Sequence, residues 1–416
     1  MSRRIPSCAI TAITLTLIAA RVTSGGPSSG PGDSPGSGGG STPSGPQTWN
    51  VPGDFSSIQA AVDAAADGDT IALLSGQYHE NVTVAGKLVY IAAAGGAFNP
   101  APHWWPAGSP GSSGPMLNLS DGAAVLVREI AFHSITTFEP SGEDVLEVIP
   151  EDGCAINVVE STIVAEDCDF DGLGSNSSVA GGISAALSWV IVRDSSFNDC
   201  RGQYAGAIAT ENSYVAIETT DFEDCIGGLY AGAIRSNGIM YLKQCIFESC
   251  ESTSGSGAVA AFNGTTLNME RCVISNCDGK YAAVYGSIPA TPDPHNIKFC
   301  KFSGCSAWGS LARSDSLDLE GFGSAQALYA CDTLSPPHFD VGITTDDVIA
   351  TSMMCSGCPG DTTLDGDRSV HDLIDLLSRW GERDPLCDLN GDGVVSGTDV
   401  TIFMESGFGG WCPPPV

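Results

Sequence analysis

A period of 25 to 28 residues runs through the middle of this chain and narrows its folds to a few. Successive repeats align on Cys168, Ser195, Thr220, Cys245, Cys272 and Cys300, with Ile130 opening the series. Three residues before each comes an apolar file: Val127, Ala165, Val192, Ile217, Leu242, Met269 and Ile297. Two residues after comes an aromatic file: Phe132, Phe170, Phe197, Phe222 and Phe247, then Ile274 and Phe302. Five residues after come Cys200, Cys225, Cys250, Cys277 and Cys305, and Ile156, Ile183, Ile208, Ile234, Val259 and Val284 mark another strand. Several short strands per repeat, each giving one inward residue to a like-with-like stack, predict a right-handed parallel β-helix with coils rising by about 4.8 Å. A propeller blade is longer, usually about 40 residues or more.

An independent file supports this register. The residue two before each alignment position reads Arg128, Glu166, Arg193, Glu218, Lys243, Glu270, Lys298, alternating in sign throughout. On stacked strands these become cross-strand neighbours, where opposite charges are mildly favourable and like charges costly. The open end of such a coil exposes strand edges and needs a lid. Ser56-Ser-Ile-Gln59 reads as a capping box opening a short helix with Ile58, Ala61, Val62 and Ala65 on one face, after which Gly68-Asp-Thr-Ile71 enters a strand.

The 416 residues allow two or three domains, and Gly 51 with Pro 24 points to many turns and little helix. A net charge of −32, with only 17 Lys+Arg, argues against nucleic acid or anionic lipid as partner. Met-Ser-Arg-Arg, an apolar stretch from Ile10 to Ala20 and a small polar exit predict a signal peptide at 1–24 and an extracellular or surface location. No later stretch reaches membrane-spanning length, and Cys8 precedes the apolar stretch, so it is not placed as a lipoprotein cysteine. Residues 25–48, mostly Gly, Ser and Pro, form a flexible tether. The β-helix is expected over 49–350.

Near the C-terminus Asp361-Thr-Thr-Leu-Asp-Gly-Asp-Arg-Ser-Val-His-Asp372 is followed 27 residues later by Asp388-Leu-Asn-Gly-Asp-Gly-Val-Val-Ser-Gly-Thr-Asp399. Each block has oxygen side chains at positions 1, 3, 5, 9 and 12 and glycine at 6, the spacing of a calcium loop. The tail, 355–412, resembles a type I dockerin, with Leu373, Leu376 and Leu377 matching Val400, Phe403 and Met404. That resemblance implies Ca2+ held by Asp361, Thr363, Asp365, Ser369 and Asp372, and by Asp388, Asn390, Asp392, Ser396 and Asp399, with backbone carbonyls of Asp367 and Val394. It also implies a cohesin-like partner. The positions expected to meet it are Val370-His371 and Gly397-Thr398, which depart from the usual pairs, and Thr363 departs from the usual Asn or Asp. Residues 49–96, with Asp54-Phe-Ser-Ser-Ile-Gln, Gly68-Asp-Thr-Ile and Gly76-Gln-Tyr-His-Glu-Asn81, resemble the opening of pectin lyase-like β-helix proteins, including pectin esterases. The Phe-x-x-Cys coils also resemble bacterial surface β-helix proteins and adhesins. The whole assembly resembles the secreted proteins of planctomycete-type bacteria.

Asp169, Asp171, Asp221, Glu223 and Glu248 are expected to point outward near the Phe file, as a solvated acidic face or as a site for sugar or calcium. Arg201 and Arg235 are the basic residues not committed to the alternating ladder. The clustered cysteines are compatible with disulfides between coils or with an internal stack of thiols. Cys358 and Cys387 are a possible further pair, and Cys355-Ser-Gly-Cys358 is too little for zinc. Trp104-Trp105 is either a sugar-stacking platform or folds back onto the lid. His79, His103, His133, His295, His338 and His371 fall in unrelated sequence contexts, and no nucleophile elbow or catalytic signature is visible. The expected function is a secreted calcium-binding protein that engages polysaccharide or cell-surface glycan. The alternative is a polysaccharide lyase or glycoside hydrolase.

Overall fold

The computed structural model describes residues 45–405, except 96–100, 108–113, 134–153, 175–177, 263, 289–293, 310–313, 332–336, 340–341, 351–360, 364–368 and 391–393. The signal segment, residues 25–44 of the tether, Cys355, Cys358, Asp365, Asp367 and Asp392 lie outside the described residues. Residues Gly45–Val416 form one compact unit.

The repeat folds into coils of a parallel β-helix, in the register that the sequence predicts. Phe132 pairs with Phe170, Phe170 with Phe197, Phe197 with Phe222 and Phe222 with Phe247. The rings stack at 4.9, 4.4, 5.0 and 4.8 Å, and the ladder begins one coil earlier at Trp104, 5.5 Å from Phe132. The Ile156, Ile183, Ile208 and Ile234 file is likewise in register and fully buried. In the charge ladder, neighbouring strands set Arg128 against Glu166, Glu166 against Arg193, Arg193 against Glu218, and Glu218 against Lys243. Lys243 Nζ reaches Glu218 at 2.8 Å and Arg193 reaches Glu166 at 3.5 Å, whereas Arg128 turns to Glu129 and Asp167.

Single residues turn the corners. Glu129, Asp167, Asp194, Thr219, Gln244, Arg271 and Phe299 all have φ between 47° and 56°, the left-handed region. One such residue redirects the chain into the next strand, at a steric cost that Asp and Asn bear most easily. The amides at the bends from Glu129 to Arg271 still pair with the next coil: Asp167 N donates to Arg193 O at 3.2 Å, and Arg271 N to Lys298 O at 3.0 Å. Except at Ile130, the residue after the bend points inward and donates to the carbonyl two positions back. Ser195 Oγ meets Arg193 O at 2.6 Å, Thr220 Oγ1 meets Glu218 O at 2.9 Å, and Cys245 Sγ meets Lys243 O at 3.4 Å. Ser, Thr and Cys therefore alternate in this file because each is a small side chain with one hydrogen to give. The cysteines from Cys154 to Cys305, and Cys387, are free buried thiols, so the structure takes the thiol stack rather than the disulfides. Burial pushes Cys168 and Cys305 up to about 12.

Helix α1 (Ile58–Ala64) closes the N-terminal end with Ile58, Ala61 and Val62 buried. Its cap is Ser57, not the expected Ser56, with Ser57 Oγ accepting from Ala60 N at 3.2 Å. The shift has a tertiary cause: the Glu80 carboxylate accepts from Ile58 N and Gln59 N at 3.0 and 3.2 Å, displacing the local box. Lys87 Nζ donates to the carbonyls of Val62, Asp63 and Ala65 at the other end, where the helix dipole favours a cation. The first strand, Thr48–Val51, precedes this lid.

Two further helices, α2 (Val370–Ser378) and α3 (Gly397–Glu405), follow the two oxygen-rich loops. Leu376 and Phe403 are fully buried with Cys387 and Val395, and Leu373 and Val400 pack against them. The third expected pair differs: Leu377 and Met404 are exposed.

Candidate functional site

The residues flanking the inward Phe file face outward as two parallel rows. One row runs His79, Trp105, His133, Asp171, Asn198, Glu223, Glu248, and the other His103, Ala131, Asp169, Ser196, Asp221. The five expected carboxylates thus divide between rows. Asn198 separates Asp171 from Glu223, and Ser196 separates Asp169 from Asp221, so of the five only Glu223 and Glu248 are direct cross-strand neighbours. Ser196 Oγ donates to Asp169 at 2.6 Å.

The N-terminal end of these rows holds a cluster that the sequence reading dispersed. His103 Nδ1 lies 2.8 Å from His133 Nε2, and His133 Nδ1 lies 3.5 Å from Asp171 Oδ2. The Trp105 ring stacks on His133 at 5.0 Å and on His79 at 6.0 Å. His79, His103 and His133 come from three successive coils and are therefore one site, contrary to their unrelated sequence contexts. The tryptophans divide. Trp104 is core, with its indole N–H donating to Glu80 O at 2.8 Å, while the Trp105 indole N–H has no hydrogen-bond partner among the described residues. The signal was available: carrying the Phe register back to Tyr78 and Trp104 places His79, Trp105 and His133 at one position.

The two supposedly uncommitted arginines are both engaged. Arg235 is buried, binds Glu211 at 2.7 Å and lies over the Tyr204 and Tyr230 rings, and Arg201 meets Asp199 at 3.3 Å. Asp221 is also taken, by Arg383 of the C-terminal region. Burial raises the Asp221 pKa, against the pull of that guanidinium.

The two C-terminal loops close in the same way. Asp372, fully buried, accepts from Thr363 N at 3.0 Å, Ser369 N at 2.7 Å and Ser369 Oγ at 3.2 Å. Asp399, also fully buried, accepts from Asn390 N at 3.2 Å, Ser396 N at 2.7 Å and Ser396 Oγ at 3.1 Å. Burial disfavours the Asp399 carboxylate, but these hydrogen bonds prevail and hold its pKa low. Asp361 is buried, whereas Val394 is exposed. Asp388 and Asn390 precede the segment 391–393 that contains Asp392. Among the described residues no three His, Cys, Asp or Glu side chains converge as a metal cluster.

The coils match the family profile described as a right handed beta helix region over residues 127–313. No curated protein matches the sequence. Among solved structures, pectin methylesterase PemA from Erwinia chrysanthemi is 13% identical, covering 73% of this chain and 93% of its own, with a TM-score of 0.36. The catalytic unit of a GH87 alpha-1,3-glucanase from Streptomyces thermodiastaticus is 12% identical, covering 77% and 72%, with a TM-score of 0.31. Geobacillus virus E2 ORF18 is 8% identical, covering 88% and 68%, also at 0.31. Likenesses at this level carry no argument about activity. None of the helices among the described residues is long and apolar enough to cross a membrane.

Proposed function

We propose that this chain is an exported protein that engages a linear polysaccharide along the row His79, Trp105, His133, Asp171, Asn198, Glu223, Glu248. The supporting observation is the row itself: one outward polar or aromatic side chain per coil, repeating at the strand spacing of about 4.8 Å, commensurate with successive sugar rings. The rings of His79, Trp105 and His133 stack on one another, so they present a continuous rim of ring edges to a bound chain rather than open faces. Asn198 and the carboxylates offer hydrogen bonds to hydroxyls. Adjacent Glu223 and Glu248 in a chain of charge −32 repel an anionic polymer, so the glycan is neutral or brings cations with it.

A second reading, cleavage of the same glycan, is favoured by the series Asp171, His133, His103, in which one imidazole hands a hydrogen to the other at 2.8 Å. A hydrogen-bonded histidine pair with a carboxylate 3.5 Å away has the groups that proton transfer needs. The test is affinity electrophoresis on a panel of plant, algal and microbial glycans, scored together with release of reducing or unsaturated ends. Trp105→Ala is expected to weaken retention at least tenfold; unchanged retention overturns the row as the binding face. Product that disappears in His133→Ala establishes cleavage, and no product from the wild-type protein ends that reading.

The C-terminal loops bind calcium in this proposal, through the ligand set that the dockerin resemblance implies. The matched closure of both loops by a buried aspartate and the all-oxygen donor set fit that ion. Val370, His371, Gly397 and Thr398 are exposed, as a cohesin-like partner requires.

A further inference from the structure

Residues 379–387, which join the two oxygen-rich halves of the tail, lie against the corner file of the β-helix. Arg271, at a left-handed corner and almost fully buried, directs Nε to the Asp384 carboxylate. Its Nη2 lies 2.9 Å from Asp375 Oδ2 and 3.2 Å from Cys387 Sγ. Gln244, one corner earlier, donates to Asp384 Oδ2 at 3.2 Å. Leu386 packs on Val273 and on the corner residue Phe299. Arg383 donates to Thr219 O at 3.4 Å and pairs with Asp221. Four successive corners, Thr219, Gln244, Arg271 and Phe299, therefore carry one dock. Burial opposes the Arg271 charge, but the Asp384 and Asp375 carboxylates outweigh it and raise its pKa.

The docking residues are tied directly to the oxygen-rich loops. Asp388, the first residue of the second loop, donates its N–H to Asp384 O at 2.8 Å. Val395, inside that loop, exchanges hydrogen bonds with the docking segment: Gly381 N to Val395 O and Val395 N to Glu382 O, each 2.9 Å. Asp375 lies one helical turn after Asp372, which closes the first loop. A change in either loop therefore reaches a residue that holds Arg271 within one turn or four residues.

We propose that calcium binding in the two loops and docking of the tail on the β-helix corners are a single linked equilibrium, with the docked tail forming one edge of the glycan row beside Asp221. This inference rests on the calcium and glycan readings given above. Linkage is reciprocal: whatever factor calcium adds to docking, docking adds to calcium affinity. Calcium would tie each loop to its closing aspartate, Asp372 or Asp399, and so hold the frame of the short docking segment.

The test uses the full mature chain. Calcium affinity is measured by titration calorimetry, and docking by hydrogen exchange at residues 379–387 with calcium or with chelator. Chelator is expected to speed exchange there at least tenfold while the strands Asp221–Glu223 and Ile246–Glu248 stay protected. Arg271→Met is expected to lower calcium affinity at least tenfold. Arg383→Gln, at a half-exposed pair, is expected to lower it two- to threefold and serves if the first variant misfolds. Unchanged protection at 379–387 on chelation, or wild-type calcium affinity in a variant whose tail has come loose, overturns the linkage. A flat calorimetric trace from the wild-type protein overturns the calcium reading, and this inference with it. Calcium binding and linked docking with no retention on any glycan leave the linkage standing and overturn the placement beside a glycan row.

Discussion

Replacing Phe222 by alanine isolates the contribution of one rung of the aromatic ladder. The ring is fully buried and stacks on Phe197 at 5.0 Å and on Phe247 at 4.8 Å. Truncating a buried Phe costs about 3–5 kcal/mol, including the cavity. Each stacked partner is worth about 0.5–1.5 kcal/mol beyond area. The parallel backbone hydrogen bonds fix the coil rise, so the neighbouring rings cannot close the gap. The expected loss is therefore at the upper end, about 4–5 kcal/mol. A repeat array need not unfold as one unit, so a global melt is the wrong assay. Native-state hydrogen exchange in Ser196–Asn198, Asp221–Glu223 and Ile246–Glu248 reads the opening free energy locally. Phe302 is the internal control: Ile274 replaces a ring below it, so Phe302→Ala forfeits the cavity term without that stack and is expected to cost about 3 kcal/mol. A loss at Phe222 below about 1 kcal/mol, or no larger than at Phe302, refutes the argument that stacking rings hold these coils.

Two further outcomes follow from titration and thiol chemistry. Burial works against ionisation of Asp69, but donation from Gln47 N, Ala66 N and the Trp49 indole holds its pKa below the ordinary value. A lowered folded value means the contribution is complete above the unfolded pKa of about 3.9 and disappears as pH falls through the folded one. The Trp49 indole resonance should thus stay fixed from neutral pH to about 4 and move only below it; movement at higher pH refutes the assignment. The described cysteines of the coils should resist a thiol reagent at pH 8 in the native protein and all react in denaturant. Loss of thermal stability on adding reductant would show that bridges, not hydrogen-bonded thiols, are present.

The coil register was legible because an inward ring must meet a ring of similar size one coil above, so Phe132, Phe170, Phe197, Phe222 and Phe247 repeat in type as well as position. The alternating charges were legible for the same reason on the outer surface. The histidine cluster was not, although Tyr78, Trp104 and Phe132 keep the ordinary repeat spacing, because Tyr and Trp stand there for Phe and outward residues need only suit a ligand. Nor was the dock: Arg271 and Asp384 lie 113 residues apart, and a single buried pair leaves no periodic trace. Cysteine was read from its capacity to form bonds between sulfurs. The exchange of Cys with Ser and Thr at one register was the sign that a hydrogen-bond donor was required.

The sign alternation from Arg128 to Lys298 also constrains how such a chain can change length. Removing the coil that bears Glu218 would bring Arg193 directly against Lys243, and doubling it would set two glutamates face to face. Removing or adding two neighbouring coils leaves every contact between unlike signs. The ladder therefore imposes a parity rule: by recombination, this fold grows or shrinks most readily by an even number of turns.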